Sequence, residues 1–194
     1  MRIMKTRGRK VFLIFITAWF CLACPGGAAE KEKPDPALKA LSLWQKGYLY
    51  HVLGRYKMAI VHFRKSIEVR PTAEAHTFLG WSMSRLGRFE EAIAECKKAI
   101  PLDPDFGNPY NDIGVYLVAL GRVDEAAPYL KKAMRTKRYC CYQFAHYNMG
   151  RVHLLKGKEE EARRSFEKAL EYDPDYAPAL QALQALRARD FQKL

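Results

Sequence analysis

The residues that usually carry chemistry are scarce in this chain, and the few present are badly spaced for it. Among 194 residues there are five cysteines and five histidines. The nearest histidine pair, His146 and His153, stands seven apart, whereas zinc sites gather ligands in fours at short, recognisable spacing. There is no glycine-rich phosphate loop, no Ser-His-acid set and no pair of carboxylates in an apolar setting. Neither an enzyme nor a bound cofactor or metal is therefore expected. Proline and glycine are too sparse for a low-complexity chain, and they recur at intervals, as punctuation does between similar units.

A long apolar run is also missing. Residues 11–23 are apolar over 13 positions, short of the ~20 needed to span a bilayer as a helix. Five positive charges and no acid precede them (Arg2, Lys5, Arg7, Arg9, Lys10). A basic start and a short apolar run read as a secretion signal. The run ends Cys21-Leu22-Ala23-Cys24, which looks like a bacterial lipoprotein box with Cys24 as the lipidated first residue of the mature chain, and residues 1–24 as its signal. Ordinary cleavage after Ala29 and an uncleaved anchor are the competing readings, and all three place the folded part outside the cytoplasm. Residues 25–39 are rich in glycine, proline and charge, as a flexible linker is. Without the first five cations the net charge falls from +12 to 28 basic against 21 acidic residues. That excess is too modest to point to nucleic acid as a partner.

What the chain does have is internal repetition. In residues 73–106, Leu79, Gly80 and Met83 share one helical face, and Phe89, Ala92, Ile93, Cys96, Ala99 and Ile100 share another. A helical pair this short cannot bury its apolar stripe alone and needs similar neighbours. Three more copies supply them. The first-helix glycine recurs as Gly47, Gly80, Gly114 and Gly150, the turn glycine as Gly54, Gly87, Gly121 and Gly157. Small residues recur on the second helix as Ala59, Ala92, Ala126 and Ala162, and again as Ser66, Ala99, Ala133 and Ala169. Between them stand the larger Phe63, Cys96, Leu130 and Phe166, and Pro71, Pro104 and Pro174 close three units. Small residues let antiparallel helices approach, the larger one fills the volume left, and glycine in the turn permits positive φ.

This pattern resembles the tetratricopeptide repeat family, whose unit is a helix-turn-helix of about 34 residues. The resemblance implies an all-α, right-handed α-solenoid of four units over residues 40–176, divided as 40–72, 73–106, 107–142 and 143–176. Residues 177–194, with Leu180, Leu183 and Leu186 on one side, look like the capping helix that shields such an array. Residues 36–40 offer no comparable shield at the other end. From glycine to glycine the steps are 33, 34 and 36 residues. The last holds two extra residues within Arg138-Tyr139-Cys140-Cys141-Tyr142, which should lengthen the link between the third and fourth units and shift their packing.

The segment from Asn111-Asp112-Ile113-Gly114 through Tyr147-Asn148-Met149-Gly150 is similar to the pilotin lipoproteins of type IV pili, which carry an irregular link at this kind of place. That resemblance implies a lipid anchor in the outer membrane and assistance to assembly of the pilus secretin. The alternative is a general periplasmic adaptor tethering cell-wall or outer-membrane enzymes. Either is a non-catalytic scaffold whose partner, a peptide or helix of another envelope protein, lies in a concave groove lined by first helices. Residues three before and one after each first-helix glycine share a side and mark that groove: Trp44 and Tyr48, Thr77 and Trp81, Asn111 and Val115, Tyr147 and Arg151. Four of the eight are aromatic, the type enriched at binding hot spots; the competing reading is that some of these rings, Trp44 especially, pack against neighbouring helices. The Lys and Asn arrangement by which chaperone-binding members clamp a C-terminal carboxylate is missing. Lys131, Lys132, Arg135, Lys137 and Arg138 read as a solvated face near a helix C-terminus, or as a site for an acidic partner or lipid headgroups. Cys96 reads as an apolar filler, while Cys140 and Cys141 are thiols open to a redox or intermolecular role.

Overall fold

The computed structural model describes residues 35–192; the signal, Cys24 and most of the linker lie outside them. Within that span the chain forms α1 (Pro36–Val52), α2 (Tyr56–Val69), α3 (Ala73–Ser84), α4 (Phe89–Leu102), α5 (Asn108–Ala119), α6 (Val123–Ala133), α7 (Tyr142–Leu155), α8 (Glu159–Tyr172) and α9 (Ala177–Gln192). Among the described residues there is no strand, only an isolated bridge between Phe106 and Arg138. The all-α solenoid expected from the repeats is the fold observed.

Local chemistry explains where helices begin and end. Asp35 accepts the Ala37 N–H at 2.8 Å and Pro36 fills the first helical position of α1. Thr72 accepts the Ala75 N–H at 3.1 Å at the start of α3. Acids occupy the first turns of α4, α6 and α8, against the positive end of each helix dipole. The turn glycines take φ of 71, 76, 75 and 70°, the left-handed conformation that lets each first helix reverse into its second.

Each first helix packs on its own second helix, and each second helix on the next first helix. First helices also touch one another along the series, α1 with α3, α3 with α5 and α5 with α7, and among the described residues no pair of second helices packs comparably. First helices therefore form the inner face. The small-against-large pairing is literal: a Cβ on Gly150 would lie 2.4 Å from the Phe166 ring, and one on Gly80 would lie 2.9 Å from the Ala92 carbonyl oxygen and 3.2 Å from Cys96 Sγ. Phe63, Cys96, Leu130 and Phe166 are all fully buried, and each large one contributes ~2–3 kcal/mol of burial.

One expectation needs correction. On α9 the buried stripe is Ala179, Leu183 and Leu186, packed on Ala162, Phe166 and Ala169, whereas Leu180 is 40 % exposed. At about 100° per residue, Ala179 and Leu186 fall to one side of Leu183 and Leu180 falls to the other, so the stripe runs through the first three. Arg138 is exposed, as the solvated-face reading has it, yet it is also paired. Its guanidinium reaches Glu74 at 2.8 Å and Asp103 at 2.6 Å and lies 4.1 Å from the centre of the Phe106 ring.

The lengthened link is ordered around that arginine. α6 has 11 residues where α2, α4 and α8 have 14, so the extra residues are spent outside helix. Thr136 Oγ1 donates to the Ala133 carbonyl at 2.7 Å, and Tyr142 Oη donates to the Thr136 carbonyl at 3.0 Å. The link then folds back on the loop before α5: the Arg138 N–H donates to Asp105 O at 2.9 Å and the Gly107 N–H donates to Arg138 O at 3.1 Å. Tyr139 is thereby buried against Tyr110, Ala133 and Ala145.

Candidate functional site

The inner face is built where first helices run side by side. On α1 and α3, Trp44 stacks on Tyr48 with ring centres 5.6 Å apart, and Phe78 stands edge-on to both, at 5.2 Å from Trp44 and 5.5 Å from Tyr48. Trp81 joins at 5.5 Å from Phe78 and 4.2 Å from His51. Tyr48 and Trp81 are 42 % and 41 % exposed, while Trp44 is half-buried against the main core with its indole N–H enclosed and unpartnered. Tyr147 lies apart from these rings. It packs on Phe166 and Tyr176 beside the capping helix.

The polar members behave differently. Thr77 is buried and its hydroxyl donates to the Ala73 carbonyl at 2.7 Å, which keeps that group within its own helix. Asn111 accepts from Asn148 Nδ2 at 3.0 Å across α5 and α7, and Arg151 Nη1 donates to Asn148 Oδ1 at 3.4 Å. Val115 is half-buried beside α3 in the wall of a second cavity. The eight positions therefore divide into an aromatic patch on α1 and α3, a polar ladder on α5 and α7, and one ring at the capped end.

Sequence spacing passed over a row that proves central. Phe78, Asp112 and Asn148 stand two before the first-helix glycines and three before Trp81, Val115 and Arg151, so they share the same side of their helices. Thr77, Phe78, Trp81, Asn111 and Asp112, with Asn108, Tyr139, Cys141 and Phe144 from α5, the link and α7, line a cavity of about 190 Å³. A second cavity, of about 360 Å³, opens on the other side of Trp81 and Asp112 against Ser84, Arg85, Phe89 and Tyr116. Burial pushes the Asp112 carboxyl up to about 7, opposed by the hydrogen bond from Asn111 Nδ2 at 3.4 Å. The hydroxyls of Tyr116 and Tyr139 are buried without a hydrogen-bond partner. No grouping of three or more metal-ligating side chains occurs among the described residues.

The three described cysteines are free thiols. Cys96 is fully buried as an apolar filler, and burial drives its thiol pKa well up. Cys140 is exposed, with its sulfur 3.0 Å from that of Cys141; burial, with the Cys140 contact, pushes the Cys141 thiol up to about 11. No helix among the described residues is long and apolar enough to cross a membrane.

Comparison with known proteins agrees with this architecture. Models of the tetratricopeptide repeat match residues 40–72, 73–106, 110–138 and 143–176. The type IV pilus assembly protein PilF of Pseudomonas aeruginosa is 28% identical over 170 residues, covering 86% of this chain and 67% of that protein. The TPR repeat-containing protein YpiA of Bacillus subtilis is 26% identical over 69% of this chain, which spans only 31% of YpiA. Among solved structures, that of Pseudomonas aeruginosa PilF superimposes with a TM-score of 0.75 at 25% identity, over 81% of this chain and 71% of the other. The Thermus thermophilus protein TTC0263 gives 0.67 at 25% identity, over 77% and 82%. With four matched units, their glycines in place and the superhelical packing of first on second helices, the chain belongs to the tetratricopeptide repeat family.

Proposed function

We propose that this protein is a non-catalytic scaffold of the bacterial cell envelope that holds a segment of another envelope protein on the face of its first helices and assists assembly of a type IV pilus secretin. The observation that carries the reading is the likeness to PilF, a type IV pilus assembly protein, which extends over 86% of the chain rather than over one or two repeats. A partner peptide or helix would meet the exposed rings of Tyr48 and Trp81 and the amides of Asn111 and Asn148, which offer apolar area and hydrogen bonds together. Export and lipidation at Cys24 belong to the same proposal, resting on the basic start, the apolar run and the lipobox-like sequence.

Deleting the gene in a piliated bacterium should reduce secretin multimers and surface pili; unchanged levels of both would overturn the pilus role. Cys24→Ser should release the protein from membranes, and persistent association would reject the lipid anchor. A second reading is a periplasmic adaptor tethering cell-wall or outer-membrane enzymes, since the repeats are also similar to proteins not named for pili, YpiA among them. Co-purification with such enzymes and not with a secretin separates the two.

A further inference from the structure

The inner face holds one group that repeat packing does not need. Asp112 lies between α3 and α5 in the wall of two cavities, half-buried, with its carboxyl open to them. An ionised carboxylate in such a place is costly unless a cation or several donors meet it. Among the described residues its hydrogen-bond partner is Asn111 Nδ2 at 3.4 Å. The nearest guanidinium in the cavity walls, that of Arg85, is held elsewhere: Nε donates to Tyr56 Oη at 3.1 Å and the group lies 5.5 Å from the Tyr56 ring centre. Arg151 is engaged with Asn148. The walls around the carboxyl are aromatic, with Phe78, Trp81, Tyr139 and Phe144 on the smaller cavity and Tyr116 on the other.

From this combination we infer that the cavity floored by Asp112 is a receptor for a basic side chain of the bound partner, best fitted by the guanidinium of an arginine. A planar guanidinium would stack on the aromatic walls while donating to the carboxylate. The opening of about 190 Å³ admits one such head group and little more. This inference rests on the reading of the first-helix face as the partner-binding surface and adds what that surface selects.

The test uses three peptides of one sequence, Ac-Ala-Ala-X-Ala-Ala-NH2, in which X is arginine, lysine or citrulline, the neutral isostere of arginine. They are titrated against the protein while the indole resonance of Trp81, assigned with Trp81→Phe, is followed by NMR. The arginine peptide should shift that resonance and bind at least ~10-fold more tightly than the citrulline peptide, a difference of ~1.4 kcal/mol. Asp112→Asn should abolish the difference while leaving the helical spectrum unchanged. Equal binding of arginine and citrulline peptides, or an undiminished preference in Asp112→Asn, overturns the inference. With a captured envelope partner, Tyr48→Ala with Trp81→Ala tests the groove and Asp112→Asn tests the niche. Loss only in the aromatic double variant leaves the groove and removes the cation receptor, and no loss in either rejects both.

Discussion

Replacing Gly107 by alanine adds one methyl group where the lengthened link meets the third unit. The φ at Gly107 is −74°, so alanine meets no backbone strain there. The obstacle is steric: the new Cβ would lie 2.4 Å from Tyr139 Cβ, 2.5 Å from Thr136 Oγ1 and 2.5 Å from Tyr139 Cγ. A Cβ is one bond from its backbone, so the collision cannot be relieved by turning a flexible side chain, and the link has to withdraw. Overpacking of this kind costs ~1–3 kcal/mol. Withdrawal also weakens the two bridging bonds, Gly107 N–H to Arg138 O and Arg138 N–H to Asp105 O, at ~1 kcal/mol each. The sum is about 3–5 kcal/mol, or a fall in melting temperature of about 6–20 °C for a domain of this size. Thermal melts give the magnitude, and amide exchange at residues 136–142 gives the place. Gly87→Ala is the control, because its Cβ meets nothing within 4 Å and only its φ of 76° resists the change. A Gly107→Ala protein that melts within ~1 °C of the parent, with exchange in the link unaltered, would refute the argument that the link is packed on this glycine.

Arg138→Ala should cost about 1–2 kcal/mol, since its two ion pairs are partly exposed and worth at most ~1 kcal/mol each, with a further contribution from the Phe106 ring; denaturation in 1 M salt should shrink the effect, and an effect independent of salt argues that packing alone is lost. Asp112 binds its proton more tightly in the folded chain than in the unfolded one, so it lowers stability as pH rises from about 4 to about 7 and the loss is complete above that. Asp112→Asn should therefore raise stability at pH 8, by up to about 4 kcal/mol, and far less at pH 4; equal effects at both refute the burial argument. Burial holds His51, His62, His146 and His153 below the ordinary imidazole range, so stability should fall as pH drops below about 6.5, where the unfolded chain takes up protons first. In the native protein a maleimide should label Cys140 first, Cys141 more slowly and Cys96 only on unfolding; early labelling of Cys96 would contradict its place in the core.

The fold was legible because four copies repeat the same volume problem. Gly150 opposite Phe166, or Gly80 opposite Cys96 and the Ala92 carbonyl, can be read from spacing alone, since each pair lies within one unit and helix geometry fixes the distance. The turn glycines follow for the same reason. The candidate site was legible only in part. Tyr48 and Trp81, one after their glycines, share by helical spacing the face of Tyr147, three before its own, yet Tyr147 packs on Phe166 and Tyr176 beside the capping helix. Leu180 likewise satisfied the helical period but fell outside the buried stripe.

What lay beyond the sequence was every relation that joins units at variable distance. Arg138 meets Glu74 across 64 residues and Asp103 across 35, and nothing in the local charge pattern distinguishes it from the solvated lysines beside it. Gly107 looks like an ordinary loop glycine until Tyr139 is laid against it. Asp112 looks like an exposed helix acid until α3 and the link enclose it. Short-range periodicity determines helices and the packing within a unit, because the contacts involved are a fixed number of residues apart. The environment of a charge is set by whatever neighbouring elements bring to it, and only the assembled solenoid decides that.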